Sequence, residues 1–137
     1  MDLYFQRLQK LQKEFIEIKK SNKWKFDSHH QAIYDFVIHS KTTTTFTIDD
    51  YHITLNRGDE YFGFKHILLR HYCDDCDGKI KALDILKIGN VIKNGITVPA
   101  KKKGRINFIQ TKNNEKYTLV LQKKEHDKLI FTFFSSI

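Results

Sequence analysis

From Gly63 to Ile80 the chain reads "GFKHILLRHYCDDCDGKI", which gathers His66, Arg70, His71, Cys73 and Cys76 into one short segment. Histidine trades protons near neutral pH, and arginine carries a permanent charge. Two imidazoles beside a guanidinium suit the cleavage of a ribose phosphodiester. One imidazole takes the proton of the 2′-hydroxyl, the other gives a proton to the departing 5′-oxygen, and the guanidinium stabilises the charge on the phosphorane. That chemistry needs no metal. In the order H-x4-H-x-C-x2-C the same segment also offers ligand types that zinc accepts. The plainest alternative has one histidine capping a helix and the other standing in solvent.

Helical spacing separates these readings. About 100° of rotation per residue puts His66 and Arg70 on one face and turns His71 roughly 140° away from His66. One ion cannot take both histidines unless the helix unwinds, whereas a phosphate can be flanked from two sides. The chain's two cysteines cannot build a disulfide framework. With no βαβ unit to make them a redox pair, free loop thiols are expected, with half of a metal site as the alternative. Asp75, Asp77, Gly78, Ile80 and Asp84 echo a calcium loop. Cys73 in the first ligand position and Asp84 in place of the bidentate glutamate favour a solvated acidic turn instead.

Other candidate groups lie further on. Thr132 puts a hydroxyl inside the apolar run "LIFTFF", and Lys101, Lys102, Lys103 and Arg105 form a dense basic loop suited to sugar and phosphate contacts. Charge is distributed unevenly. Residues 1–78 hold 11 Lys/Arg against 12 Asp/Glu, residues 79–128 hold 13 against 4, and the whole chain carries +8. Such a basic half favours a polyanion, a nucleic acid or an acidic protein, over a neutral small substrate.

The elements that must hold these groups can be read from periodicity. Tyr4, Leu8, Leu11, Phe15 and Ile18 draw an apolar stripe along a first helix, and "SHHQ" at Ser28–Gln31 reads as a capping box opening a second. "TTTFTI" and "YHITLN" around Asp49-Asp50 predict a hairpin. "EYFGFKHILLRHY" predicts a short helix and "GKIKALDILKIGNVIKNG" a longer one ending at Gly95. "RINFIQT", "KYTLVLQ" and "LIFTFFSS" predict an antiparallel meander. A chain of 137 residues has the length of one domain, with residues 1–40 as a helical part and 41–137 as an α+β core. No stretch has the pattern of a signal peptide or the length of an apolar span, so a cytoplasmic protein is expected, or one delivered into a target cell as part of a longer toxin.

The ordered set "FKHILLRH", "VIKNG" and "LIFTFF" from Phe62 to Phe134 resembles the superfamily named for barnase, EndoU, the colicin tRNases and RelE, especially its phage-associated and polymorphic-toxin members. The resemblance implies an α+β fold with N-terminal helices packed on a four- to five-stranded antiparallel sheet whose free face binds RNA. It implies a metal-independent ribonuclease toxin that needs no cofactor and has an acidic antitoxin or immunity protein as partner. His71 would be the general acid or base, assisted by His66 and Arg70, with Thr132 as the hydroxyl on the last strand. Arg105 and Tyr117 would add phosphate contacts. The "CDDC" insertion after His71 departs from that pattern, because its acids repel phosphate. A non-catalytic nucleic-acid-binding or regulatory module on the same fold, or a zinc-bound interaction domain, is the alternative.

Overall fold

The computed structural model describes residues 2–21 and 23–136. Two helices open the chain, α1 (Leu3–Ser21) and α2 (Ser28–Ile38), and the hairpin β1 (Thr43–Ile48) and β2 (Tyr51–Asn56) follows. Three short helices come next, α3 (Gly63–His71), α4 (Ala82–Leu86) and α5 (Ile88–Asn94). Four strands complete it, β3 (Ile96–Pro99), β4 (Arg105–Lys112), β5 (Glu115–Lys124) and β6 (Asp127–Ser136). The fold is α+β, as expected, with six strands rather than four or five. Their order is β1-β2-β6-β5-β4-β3, antiparallel except where β2 meets β6 in parallel.

Local chemistry accounts for the elements. The stripe of α1 is buried at Tyr4, Leu8, Leu11 and Phe15, as its spacing requires. Helix α2 is capped one residue earlier than "SHHQ" suggests: Asp27 is the N-cap, and its backbone N–H donates to His30 Nδ1 at 2.9 Å. The long helix expected after Gly78 is two. Lys87, at φ −98° and ψ 23°, breaks it between Leu86 and Ile88, and α5 then passes close to α2 at Gly89. A Cβ there would stand 2.7 Å from His29 Nδ1 and overlap Ile48, so only glycine allows that approach. Gly95 follows α5 in an extended conformation rather than the left-handed one of a C′ glycine.

Side-chain alternation divides the sheet. Phe46, Ile53, Leu55, Phe108, Leu119, Leu121, Ile130 and Phe133 point into one cluster with the apolar faces of the helices. Arg105, Asn107 and Ile109 of β4, Thr118, Val120 and Gln122 of β5, and Thr132 and Phe134 of β6 take the opposite, outer face by their register. Strand β6 breaks the alternation once. Ile130 and Phe133 are both buried, three apart, and the register slips between Val120 and Leu121. A β-bulge absorbs Phe131 and sends Phe131 and Thr132 in succession to the outer face.

Strands β2 and β6 pair only at Ile53–Thr54 and Lys128–Leu129. Beyond that point α3 runs beside the second half of β6. Phe64, Ile67 and Leu68 anchor α3 in the core, and Arg7 of α1 donates to the carbonyls of Leu68 and Leu69 at 2.8 and 2.6 Å, satisfying the end of the helix. The edge of Tyr4 meets Phe64, and the Tyr72 hydroxyl bonds to Glu14. Helix α1 is thus the clamp that fixes α3, which gives α1 a mechanical role at the histidines.

Candidate active site

Helix α3 brings His66 and His71 together more closely than its rotation suggests. Their ring centroids are 5.6 Å apart with planes at 77°. His71 is the last helical residue, Tyr72 after it leaves helical angles, and the His71 ring lies beside that of His66 despite their separation on the helical wheel. Each ring is held by a backbone carbonyl. His66 Nδ1 bonds the carbonyl of Glu60 at 2.9 Å and His71 Nδ1 that of Asp77 at 2.8 Å. A carbonyl only accepts, so Nδ1 of each ring carries the proton and the lone pair of each neutral imidazole sits on Nε2.

Burial, the neighbouring His66 and the charge of Arg70 push the His71 pKa below its usual value, against the Asp77 carbonyl, which raises it. The shift favours the neutral ring, the form whose Nε2 can accept a proton. Arg70 is exposed on the next turn from His66.

The pair lies against the outer face of β6. His71 contacts Phe134 with centroids 5.7 Å apart, and Phe62, one turn before His66, stacks on Phe131 at 6.3 Å. The guanidinium of Arg105 sits 3.8 Å from the Phe131 ring centre, and its Nε donates to Gln122 Oε1 at 2.9 Å. Arg105, Phe131, Phe62 and the histidines thus form one continuous outer-face patch.

Thr132 is in the same row as Val120 and Asn107. Thr132 Oγ1 and Asn107 Oδ1 are buried without hydrogen-bond partners among the described residues. Exposed Lys101, Lys102 and Lys103 stand at the end of the sheet where the Gly104 carbonyl accepts the Lys123 N–H. Tyr117 is on the other side. It shares the core face with Leu119, and its hydroxyl donates to Glu115 at 3.0 Å, so the structure separates it from the histidines.

The cysteines are not free thiols. Cys73 and Cys76 are disulfide-bonded with Cα atoms 5.3 Å apart, within the usual range for a bridge. The bridge takes both sulfurs out of the H-x4-H-x-C-x2-C zinc reading. Of the acids in that turn, Asp74 is paired with Lys79 at 3.2 Å, which offsets part of the repulsion their number implies. Gly78 closes the turn at φ +62°, where a Cβ would lie 2.9 Å from Phe134 Cβ and 3.1 Å from His71 Nδ1. Only glycine lets the chain pass there.

A second histidine cluster exists at the start of α2. Asp27, His29 and His30 hold ligand atoms within 4.8 Å of one another. His30 Nδ1 already accepts the Asp27 N–H, and its Nε2 lies 3.0 Å from Asn90 Oδ1, so neither nitrogen of that ring is spare. Two candidate ligands remain, too few for a zinc site.

Sequence reasoning did not single out Phe62, Phe131 and Phe134, which line the candidate site. Apolar residues in an apolar run give no functional signal, and the one hint in "LIFTFF" is that two core residues three apart need a bulge. The chain matches no protein-family model and no curated protein.

Proposed function

We propose that the chain is a metal-independent endoribonuclease of the barnase, EndoU, colicin and RelE kind, a toxin that cuts tRNA or mRNA and is held by an acidic antitoxin or immunity protein. The observation that carries this reading is the histidine pair: two rings 5.6 Å apart, each with Nδ1 on a carbonyl and its lone pair on Nε2, beside Arg70. A catalytic imidazole must come within about 3 Å of its oxygen. A scissile phosphate seated against the Nε2 edges of the two rings would bring the ribose 2′-oxygen to one ring and the departing 5′-oxygen to the other. His71, kept neutral by burial, takes the 2′-hydroxyl proton. His66, acting as the imidazolium with both nitrogens protonated, gives its Nε2 proton to the 5′-oxygen, and Arg70 faces the developing charge. The product is a 2′,3′-cyclic phosphate and a free 5′-hydroxyl.

The outer face fits such a substrate. Phe62, Phe131 and Phe134 offer flat surfaces for unstacked bases, and Arg105 with Lys101–Lys103 offers charge for the flanking phosphates. The antiparallel run β3–β6 backed by helices supports this reading, because the family resemblance implies a sheet of that kind.

Incubating the protein with tRNA, total RNA and single-stranded DNA in excess EDTA tests the reaction. Discrete RNA fragments ending in 2′,3′-cyclic phosphate, with DNA intact, are expected. Salt-dependent binding of DNA and RNA alike without turnover would instead make the chain a binding module. Replacing Lys101, Lys102 and Lys103 by glutamine is expected to lower RNA affinity for all sequences alike. It should also flatten the plot of log affinity against log salt by about 1 for each phosphate that the loop no longer neutralises. An unchanged slope would remove that loop from the interface.

A further inference from the structure

We propose that the Cys73–Cys76 disulfide is a redox-controlled positioning device for His71: when formed it holds the Asp77 carbonyl on Nδ1, and when reduced it lets that carbonyl go. The device belongs to the same site, and its consequence for activity rests on the ribonuclease reading.

The turn from Tyr72 to Gly78 is fixed at both ends. At its start Tyr72 is buried and bonded to Glu14. At its end the Gly78 carbonyl accepts the Ser135 N–H at 3.1 Å, and Ile80 N–H donates to the His71 carbonyl at 2.9 Å. Between these anchors the chain has little to hold it. Asp74, Asp75 and Asp77 are acids crowded into one turn and repel one another. The Cys76 N–H to Cys73 carbonyl contact is long at 3.4 Å, and the Lys79–Asp74 pair is on the surface, where ion pairs contribute little. Among the described residues the disulfide is the one covalent restraint across the turn.

Asp77 is the residue between the bridge and the Gly78 anchor. Rotating the peptide that joins them swings the Asp77 carbonyl away from His71, and glycine tolerates the new angles. Without that acceptor the neutral His71 ring is free to carry its proton on Nε2, where it can no longer act as the base. Cys73 and Cys76 each line a surface cleft, the first with Lys10 and Asp74, the second with Lys79 and Ser135, so a small reductant reaches them. The step is thiol–disulfide exchange. A dithiol's thiolate attacks one sulfur, its second thiol resolves the mixed disulfide, two electrons and two protons pass to Cys73 and Cys76, and the dithiol leaves as its cyclic disulfide.

The experiment compares full-length protein labelled with 15N before and after dithiothreitol, with the Cys73→Ser/Cys76→Ser variant as a permanently open form. His71 ring 15N shifts report the tautomer, circular dichroism reports the fold, and the RNA assay is run on the same samples. The disulfide form is expected to show Nδ1 protonated and Nε2 bare. Both open forms should move towards Nε2–H with the fold retained and RNA cleavage lowered about 10- to 100-fold. Identical His71 shifts in closed and open forms overturn the proposal. Global unfolding on opening overturns it too, because the bridge would then support the fold rather than one ring. A tautomer change with no RNA cleavage in any sample keeps the positioning device and sinks the ribonuclease reading.

Discussion

Replacing His71 by alanine is expected to lower RNA cleavage by about 10²- to 10⁴-fold, the span that general acid–base catalysis supplies, while the protein stays folded. The ring is half-buried at the end of α3, so its removal vacates the space against Phe134 and leaves the Asp77 carbonyl without its donor. One such hydrogen bond is worth about 1 kcal/mol, too little to unfold a domain. The loss should fall on kcat more than on KM, because the proton transfer is made in the transition state and not in substrate binding. A His66→Ala variant should show a loss of similar size, and the double variant little more than either, since acid and base act as one unit. Full activity in His71→Ala would remove the pair from the chemistry.

The elements of this fold were largely legible, because each rests on a local pattern. The α1 stripe, the Asp49-Asp50 hairpin and the three C-terminal strands all appear where apolar spacing and turn residues place them. What periodicity does not carry is how elements meet. The parallel contact between β2 and β6 joins residues about 75 positions apart through two paired positions on each strand, and no local signal announces it.

The site was legible by residue type and not by geometry. His66, Arg70 and His71 stand out as chemistry, yet a helical wheel separates the two rings, which the structure places 5.6 Å apart at the end of α3. The disulfide was missed because two cysteines three apart fit a free pair equally well until the turn around Gly78 is seen to fold back. Tyr117 failed for the opposite reason. Its aromatic hydroxyl suits a phosphate contact, but strand alternation assigns it to the core face.

The other large effect lies at the far end of the helical layer, at His29. The residue is 6% exposed, both ring nitrogens lack a hydrogen-bond partner among the described residues, and Gly89 closes over Nδ1. Burial first, then the neighbouring His30, lower its pKa to about 4, with Asp27 acting the other way from 3.7 Å and Lys93 adding to the depression. Unfolded, this histidine binds its proton near pH 6.5. Between pH 6.5 and about 4 the unfolded chain therefore holds a proton that the folded chain refuses, so stability falls as pH falls through that window and is unaffected above it. The full difference is about 3 kcal/mol, a large share of the stability of a domain this size. Carboxylates titrate in the lower part of the same range, so the measurement is a comparison: urea unfolding of the wild type and of His29→Gln at pH 7.5, 6, 5 and 4.5. The wild type should lose about 2–3 kcal/mol more than the variant on acidification. Parallel curves would mean that His29 takes up its proton in the folded state, and that the space between Asp27 and α5 opens to solvent in acid.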